Sequence, residues 1–223
     1  MFLKPMSLSR RFVLITLAVA AVATMAAAPP QKSVPTSKAF PYLENYLKLP
    51  PAERSRFTMG YFLTLGGKPA TSVKAWLVDG AKRTPMTIGA DGRVLRMPNL
   101  GELERKATVE LEVSPDAKFG LQLQMEPLVT RGPEMDAQAL AAAAVQADAA
   151  VKKAAGVLGF AAPHMTRVYF KDASGGEAVF ADGHAVKLGV LKGFAFYDIE
   201  AERGAKTIRF SKAPTLAMIG PAG

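Results

Sequence analysis

Cysteine is absent from all 223 residues. That excludes disulfides, thiol catalysis, thiolate metal sites and a lipid-modified N-terminal cysteine. Histidine is nearly as scarce, with two in the chain. His164 follows Pro163 in a linker, and His184 follows an Asp-Gly turn. A hydrolytic zinc site needs three convergent protein ligands, and no H-E-x-x-H occurs. Asp182 and His184 could begin such a site, but a turn aspartate beside a surface histidine accounts for both. No G-x-S-x-G elbow and no phosphate-binding G-x-x-x-x-G-K-[ST] is present. The ten methionines are dispersed and unaccompanied by histidine, which argues against a copper carrier. No metal and no cofactor is expected. Aromatics do not interleave with the basic residues, so no nucleic-acid partner is expected either. After the N-terminal segment no apolar run is long enough to span a membrane.

That N-terminal segment is the first positive signal. Lys4, Arg10 and Arg11 precede an apolar stretch from Phe12 to Ala23, small residues follow to Ala28, and no acid appears before Glu44. The pattern predicts a signal peptide over residues 1–28 and a periplasmic or secreted mature chain. The alternative is an uncleaved anchor in the inner membrane, for which Phe12 to Ala28 is short against a span of about 20 residues. Ser9-Arg10-Arg11-Phe12 resembles a twin-arginine export signal with its Phe one position early, so the export route stays open. The segment holds three of the 28 basic residues and none of the 19 acids. Residues 29–131 carry 15 basic against 10 acidic residues, and residues 132–223 carry 10 against 9. The excess positive charge therefore belongs to the first half.

Residues 29–41 are polar and proline-rich and read as a disordered linker. Phe40 to Leu49 is a short helix stopped by Pro50 and Pro51. Period-two alternation then runs through Phe57–Leu65, Val73–Leu77, Thr84–Ile88, Arg93–Met97, Ala107–Val113 and Phe119–Met125. Asp79-Gly80 and Asp91-Gly92 suit hairpin turns, and Ala107–Val113 with Phe119–Met125 reads as the cleanest hairpin. This predicts an antiparallel β-sandwich over residues 42–131. Pro85 to Val94 resembles the strand–turn–strand of immunoglobulin-like and transthyretin-like modules, a likeness of ten residues that implies no function.

Pro133 to Gly159 is the one long helix signal in the mature chain. Pro133 suits a first turn, Lys152 and Lys153 suit the last, and Leu140, Ala144, Ala147, Val151, Ala154 and Leu158 form a narrow stripe. Strands from Thr166 onward follow, with a tight hairpin around Asp182-Gly183. The fold class expected is mainly β with an α+β second half over residues 132–223, in which helix 133–159 packs on a small antiparallel sheet of its own.

Lys82, Arg83, Arg93, Arg96 and Arg105 come from neighbouring loops and strands and form a candidate ligand-binding basic patch, with a solvated surface as the plainer reading. Trp76 shares a strand face with Lys74. The function expected is an exported, non-catalytic envelope protein that binds or scaffolds. One alternative is a hydrolase with its site at the junction of the halves, near the helix ends. Another is a binder of an anionic envelope polymer or lipid headgroups through the basic first half. An apolar cavity between sheet and helix favours a ligand carrier; a filled interface favours a structural module.

Overall fold

The computed structural model describes residues 31–114, 116–173 and 175–222, apart from the side chains of 157 and 158. The expected signal peptide over 1–28, and Leu158 of the helix stripe, lie outside these residues. The chain starts as a strand where a disordered linker was expected. Gln31–Pro35 (β1) is followed by Thr36–Ala39 (α1), Leu43–Lys48 (α2) and a 3-10 turn at Pro51–Arg54. The next elements are Phe57–Leu65 (β2), Lys68–Pro69 (β3), Lys74–Asp79 (β4), Lys82–Met86 (β5), Leu100–Glu104 (α3) and Thr108–Glu112 (β6). β1 pairs antiparallel with β6 along its whole length. Its proline is tolerated because β1 is an edge strand with one ladder to satisfy. Thr36, 2% exposed, then donates both its N–H and its hydroxyl to the carbonyl of Ala107.

The second half continues with Phe119–Pro127 (β7), Glu134–Asp136 (β8), Ala137–Ala155 (α4), a 3-10 stretch at Gly156–Ala161 and Arg167–Lys171 (β9). Glu177–Val179 (β10), Ala185–Lys187 (β11), Gly189–Leu191 (β12), Phe194–Asp198 (β13), Thr207–Arg209 (β14) and Leu216–Gly220 (β15) complete it. The fold is mainly β with one long helix, an α+β architecture. No helix among the described residues is long and apolar enough to cross a membrane.

Three antiparallel sheets result. One has the order β1-β6-β4-β5, one β11-β10-β14-β8, and the third is seven-stranded, β12-β13-β9-β15-β7-β2-β3. The β4–β5 hairpin turns at Gly80 as expected. The expected hairpin of Ala107–Val113 with Phe119–Met125 does not form. β6 joins β1 and β4, whereas β7 joins β2 and β15 in the seven-stranded sheet. Alternation fixes which side chains share a face, but it does not name the strand next door. Likewise Ile88 and Val94 form an isolated bridge, and the turn between them folds onto β2. There Gly92, at φ 86°, lies so close that a Cβ would stand 2.5 Å from the Leu63 carbonyl oxygen.

The seven-stranded sheet also crosses the boundary expected at residues 131–132. Ile219 of β15 faces Met125 on one side and Val168 on the other. Val168, Ile219, Met125 and Met59 are linked through this register and so share one face of the sheet. Two cores lie on that face. Over β2, the inward residues Ala75, Leu77, Val109 and Leu111 of β4 and β6 meet Tyr61 and Leu63 in a sandwich. Over β9, β13 and β15, the core is built with α4 and the small sheet of β8 and β14.

α4 starts four residues later than Pro133, because Glu134–Asp136 is used as a strand against β14, with Met135 opposite Ile208. Asp136 then caps the helix, its Oδ1 accepting from the N–H groups of Gln138 at 2.8 Å and Ala139 at 3.1 Å. Ala137, Leu140, Ala143, Ala144 and Ala147 are buried. α4 does not serve the second half alone: it lies on β2 and β7 as well as β9 and β15, and touches β8, β14 and the Pro51–Arg54 turn. Alanine at 143, 144 and 147 sets how near the helix comes. An Ala144→Leu substitution should overpack this contact and cost about 1–3 kcal/mol. Ala149→Leu, on the exposed side, should stay within about 0.5 kcal/mol of the parent. Urea unfolding of both variants checks the difference.

Candidate functional site

Toward its C-terminal end α4 no longer fills the space above the sheet. The alanines continue, but Ala150 and Val151 are only half-buried and Ala154 is exposed. Side chains this short leave a gap where the helix and sheet diverge. The gap is a half-open groove of about 530 Å³. Its floor is Phe57, Met59, Leu123 and Met125, the inward residues of β2 and β7. One wall is Ala150, Val151, Ala154 and Ala155 of α4; the other is Tyr42, Tyr46 and Leu49 from α2 and its flanks. Ala161, Ala162, Pro163 and Met165 close one end. All fifteen lining residues are apolar or tyrosine, so the groove offers an apolar surface with no charged side chain in its lining.

Polar groups around the groove hold its walls. The Tyr46 hydroxyl donates to the Phe57 carbonyl at 3.1 Å, and the Tyr61 hydroxyl donates to the Pro41 carbonyl at 2.5 Å. Burial pushes the Tyr61 hydroxyl well up, so it stays a donor. The Pro41 contact sets the approach to Tyr42, which adopts a left-handed φ of 64° with its side chain 67% exposed at the rim. On the opposite side Gln146 ties α4 to the first half. Its Nε2 donates to the Ala52 carbonyl at 2.8 Å and its Oε1 accepts from the Arg56 N–H at 2.7 Å. Lys153 and Glu53 add an exposed ion pair at 2.7 Å, a contact of small worth in water.

Asp148 anchors the closed end. Its Oδ1 accepts from the Met165 N–H at 2.9 Å, and its Oδ2 lies 2.8 Å from Lys152. Burial works against its charge, but the bonds from Lys152 and Met165 and the nearby His164 outweigh it, and the carboxyl is held below its usual range. His164, between two lining residues, is mostly exposed and 3.8 Å from Asp148. His184 sits in an exposed turn, stacked on Phe180 at 4.2 Å and 2.5 Å from Asp182.

The five basic residues do not form one positive patch: Lys82, Arg96 and Arg105 gather around the acids Asp79 and Glu102, and Arg83 and Arg93 pair with acids elsewhere. Arg83 lies on the outer face of the four-stranded sheet, over the Trp76 ring at 3.8 Å and 3.0 Å from Glu110. Trp76 is thus half-buried under an arginine and not part of the core. Arg93 belongs to the open face of the seven-stranded sheet, over Phe62 and 2.6 Å from Glu126. Arg96 meets the buried Glu102 at 2.8 Å, and Arg105 forms a doubly bonded pair with Asp79, which Lys82 also faces. Every arginine of the set is paired with an acid, so the group is a mixed-charge surface. None of the groove residues was singled out as a site. The sequence signal for them is the alanine content of α4 beyond Ala147, read beside inward methionines on β2 and β7.

Residues 52–171, more than half of the chain, match a family described as "Protein of unknown function (DUF2987)". The matched stretch contains the whole groove lining except Tyr42, Tyr46 and Leu49. No curated protein and no solved structure matches the chain.

Asp148 gives the closed end a pH dependence. Its folded pKa lies below its unfolded value, about 3.9 for a free aspartate. Its stabilisation is therefore complete above that value and is lost as pH falls through the folded one. Asp148→Asn should lower the melting temperature at pH 7, and the gap to the parent should narrow steadily below about pH 4. Thermal melts from pH 7 down to pH 3 measure this; a gap that is constant across the range would contradict it.

Proposed function

The chain belongs to the DUF2987 family, and we propose that it is a non-catalytic, exported envelope protein that holds an apolar ligand in the groove between α4 and the seven-stranded sheet. The observation that carries this reading is the lining: fifteen apolar or tyrosine side chains around about 530 Å³, open along one side. That volume falls within the range of small-molecule sites, about 300–1,000 Å³. A scaffold has no use for an apolar trough of this size, since larger side chains there would add stability. A ligand removes the same surface from water, at about 0.8 kcal/mol for each methylene buried. Export is supported by the basic, apolar and small-residue order of residues 1–28.

A hydrolytic reading would use His164 beside Asp148 at the closed end. Their separation is 3.8 Å, and Asp148 is already engaged by Lys152 and the Met165 N–H. A carboxylate committed in this way positions the chain and does not orient a catalytic base. Binding through the basic first half is weakened by the acids paired with Arg83, Arg93, Arg96 and Arg105.

The test is titration with N-phenyl-1-naphthylamine, a neutral apolar fluorophore. The parent protein should show saturable enhancement of emission. Ala154→Trp, which projects a large ring from the α4 wall, should weaken binding at least about tenfold, or 1.4 kcal/mol, with an unchanged circular dichroism spectrum. No saturable binding by the parent would end this reading.

A further inference from the structure

We propose that the occupant of the groove is a single-chain long-chain carboxylate, its chain on the apolar floor and its head group on Arg54. This rests on the groove holding an apolar ligand, and it adds the chemistry of the head. Three lysines stand near the groove, and each is satisfied by an acid: Lys48 by Glu44 at 2.5 Å, Lys152 by Asp148 at 2.8 Å and Lys153 by Glu53 at 2.7 Å. Arg54 differs. It is half-buried and lies over the ring of Tyr46, 5.3 Å from the centroid, and its Nε donates to the Leu49 carbonyl at 3.1 Å. Tyr46 and Leu49 are both wall residues of the groove. The contact with the Tyr46 ring and the Nε bond together hold the guanidinium against two wall residues of the groove. No acid lies within ion-pair distance of it among the described residues.

The terminal nitrogens of Arg54 make no hydrogen bond to the described residues. They present a planar pair of donors, the geometry that takes a carboxylate through two parallel bonds. A cation that is half-desolvated and lacks a counter-ion complements a ligand that is apolar along its length and anionic at one end. The ring of Tyr46 keeps one face of the guanidinium from water, which strengthens the attraction relative to a fully solvated lysine. A neutral lipid would leave these donors to solvent, and a long-chain alcohol offers one acceptor atom and no charge.

The full mature chain is tested by displacement of N-phenyl-1-naphthylamine with dodecanoate, dodecan-1-ol and a one-chain dodecyl phospholipid. In the parent, dodecanoate should displace the probe at a concentration about tenfold below that of dodecan-1-ol, a preference of 1.4 kcal/mol, and the preference should shrink as salt is raised. Arg54→Gln should reduce the preference to less than about twofold; the preference is a ratio of two displacements from the same groove, so a change in probe affinity cancels from it. Equal displacement by acid and alcohol in the parent overturns the proposal, as does a preference that survives in Arg54→Gln. Stronger displacement by the phospholipid than by dodecanoate overturns the carboxylate assignment. Each of these leaves probe binding in place, whereas the groove reading itself fails only when the parent does not bind the probe.

Discussion

β15, hydrogen-bonded between β9 and β7, holds the two parts of the seven-stranded sheet together. Leu216–Gly220 pairs with Arg167–Lys171 on one side and meets Met125 through Ile219 on the other. Without this strand, the β2–β7 pair would belong to a small sandwich and β9–β13 to a separate sheet. With it, seven strands join in one sheet, and β2, β7, β15 and β9 share an apolar face through Met59, Met125, Ile219 and Val168. A strand at the centre of a sheet is buried on its apolar face, and Ala217 and Ile219, which share the face of Val168 and Phe170, are accordingly buried. α4 can lie on strands from both halves only because that face is unbroken.

The helix then decides where the face is covered and where it is not. Alanine at 137, 143, 144 and 147 brings its first three turns close to the sheet, and each of these residues is fully buried. Each alanine removes little area from water, so Leu140, Phe170 and Ile208 supply the larger share of the apolar burial in this core. Beyond Ala147 the same short side chains do not fill the space above Phe57, Met59, Leu123 and Met125. Leu123 and Met125 stay half-buried, and the groove is the uncovered remainder of a face that the sandwich and the helix core each cover in part. The site thus comes from a residue type that adds helicity without adding volume.

Much of the fold was legible along the chain because its signals are local. The alternation in Phe57–Leu65 and Phe119–Met125 marks the strand faces correctly, and Asp79-Gly80 closes the hairpin that it suggests. Three readings failed for a common reason, which is that each depended on a partner distant in sequence. Gln31–Pro35 reads as linker because its ladder lies on β6, more than seventy residues away. Glu134–Asp136 reads as a first helical turn because β14 is not adjacent in sequence. Ala107–Val113 and Phe119–Met125 look like one hairpin, yet their strands enter different sheets. The groove was out of reach on the same grounds: Tyr46, Met59, Leu123 and Val151 become neighbours only through the fold. The basic residues showed the opposite error. Lys82, Arg96 and Arg105 do gather near one another, but around Asp79 and Glu102, and a count of positive charge does not record such acids.

The position of β15 in the chain has a kinetic consequence. The strand that joins the two parts of the sheet is the last regular element among the described residues. During synthesis β7 has nothing on one side, and β9 lacks its neighbour, until residues 216–220 are available. Pairings between such distant segments form late, because loop closure must precede the contacts that reward it. A chain that lacks residues 216–220 therefore holds an open sheet edge beside uncovered apolar surface, and β15 is the latch that joins the strands of the two halves into one sheet.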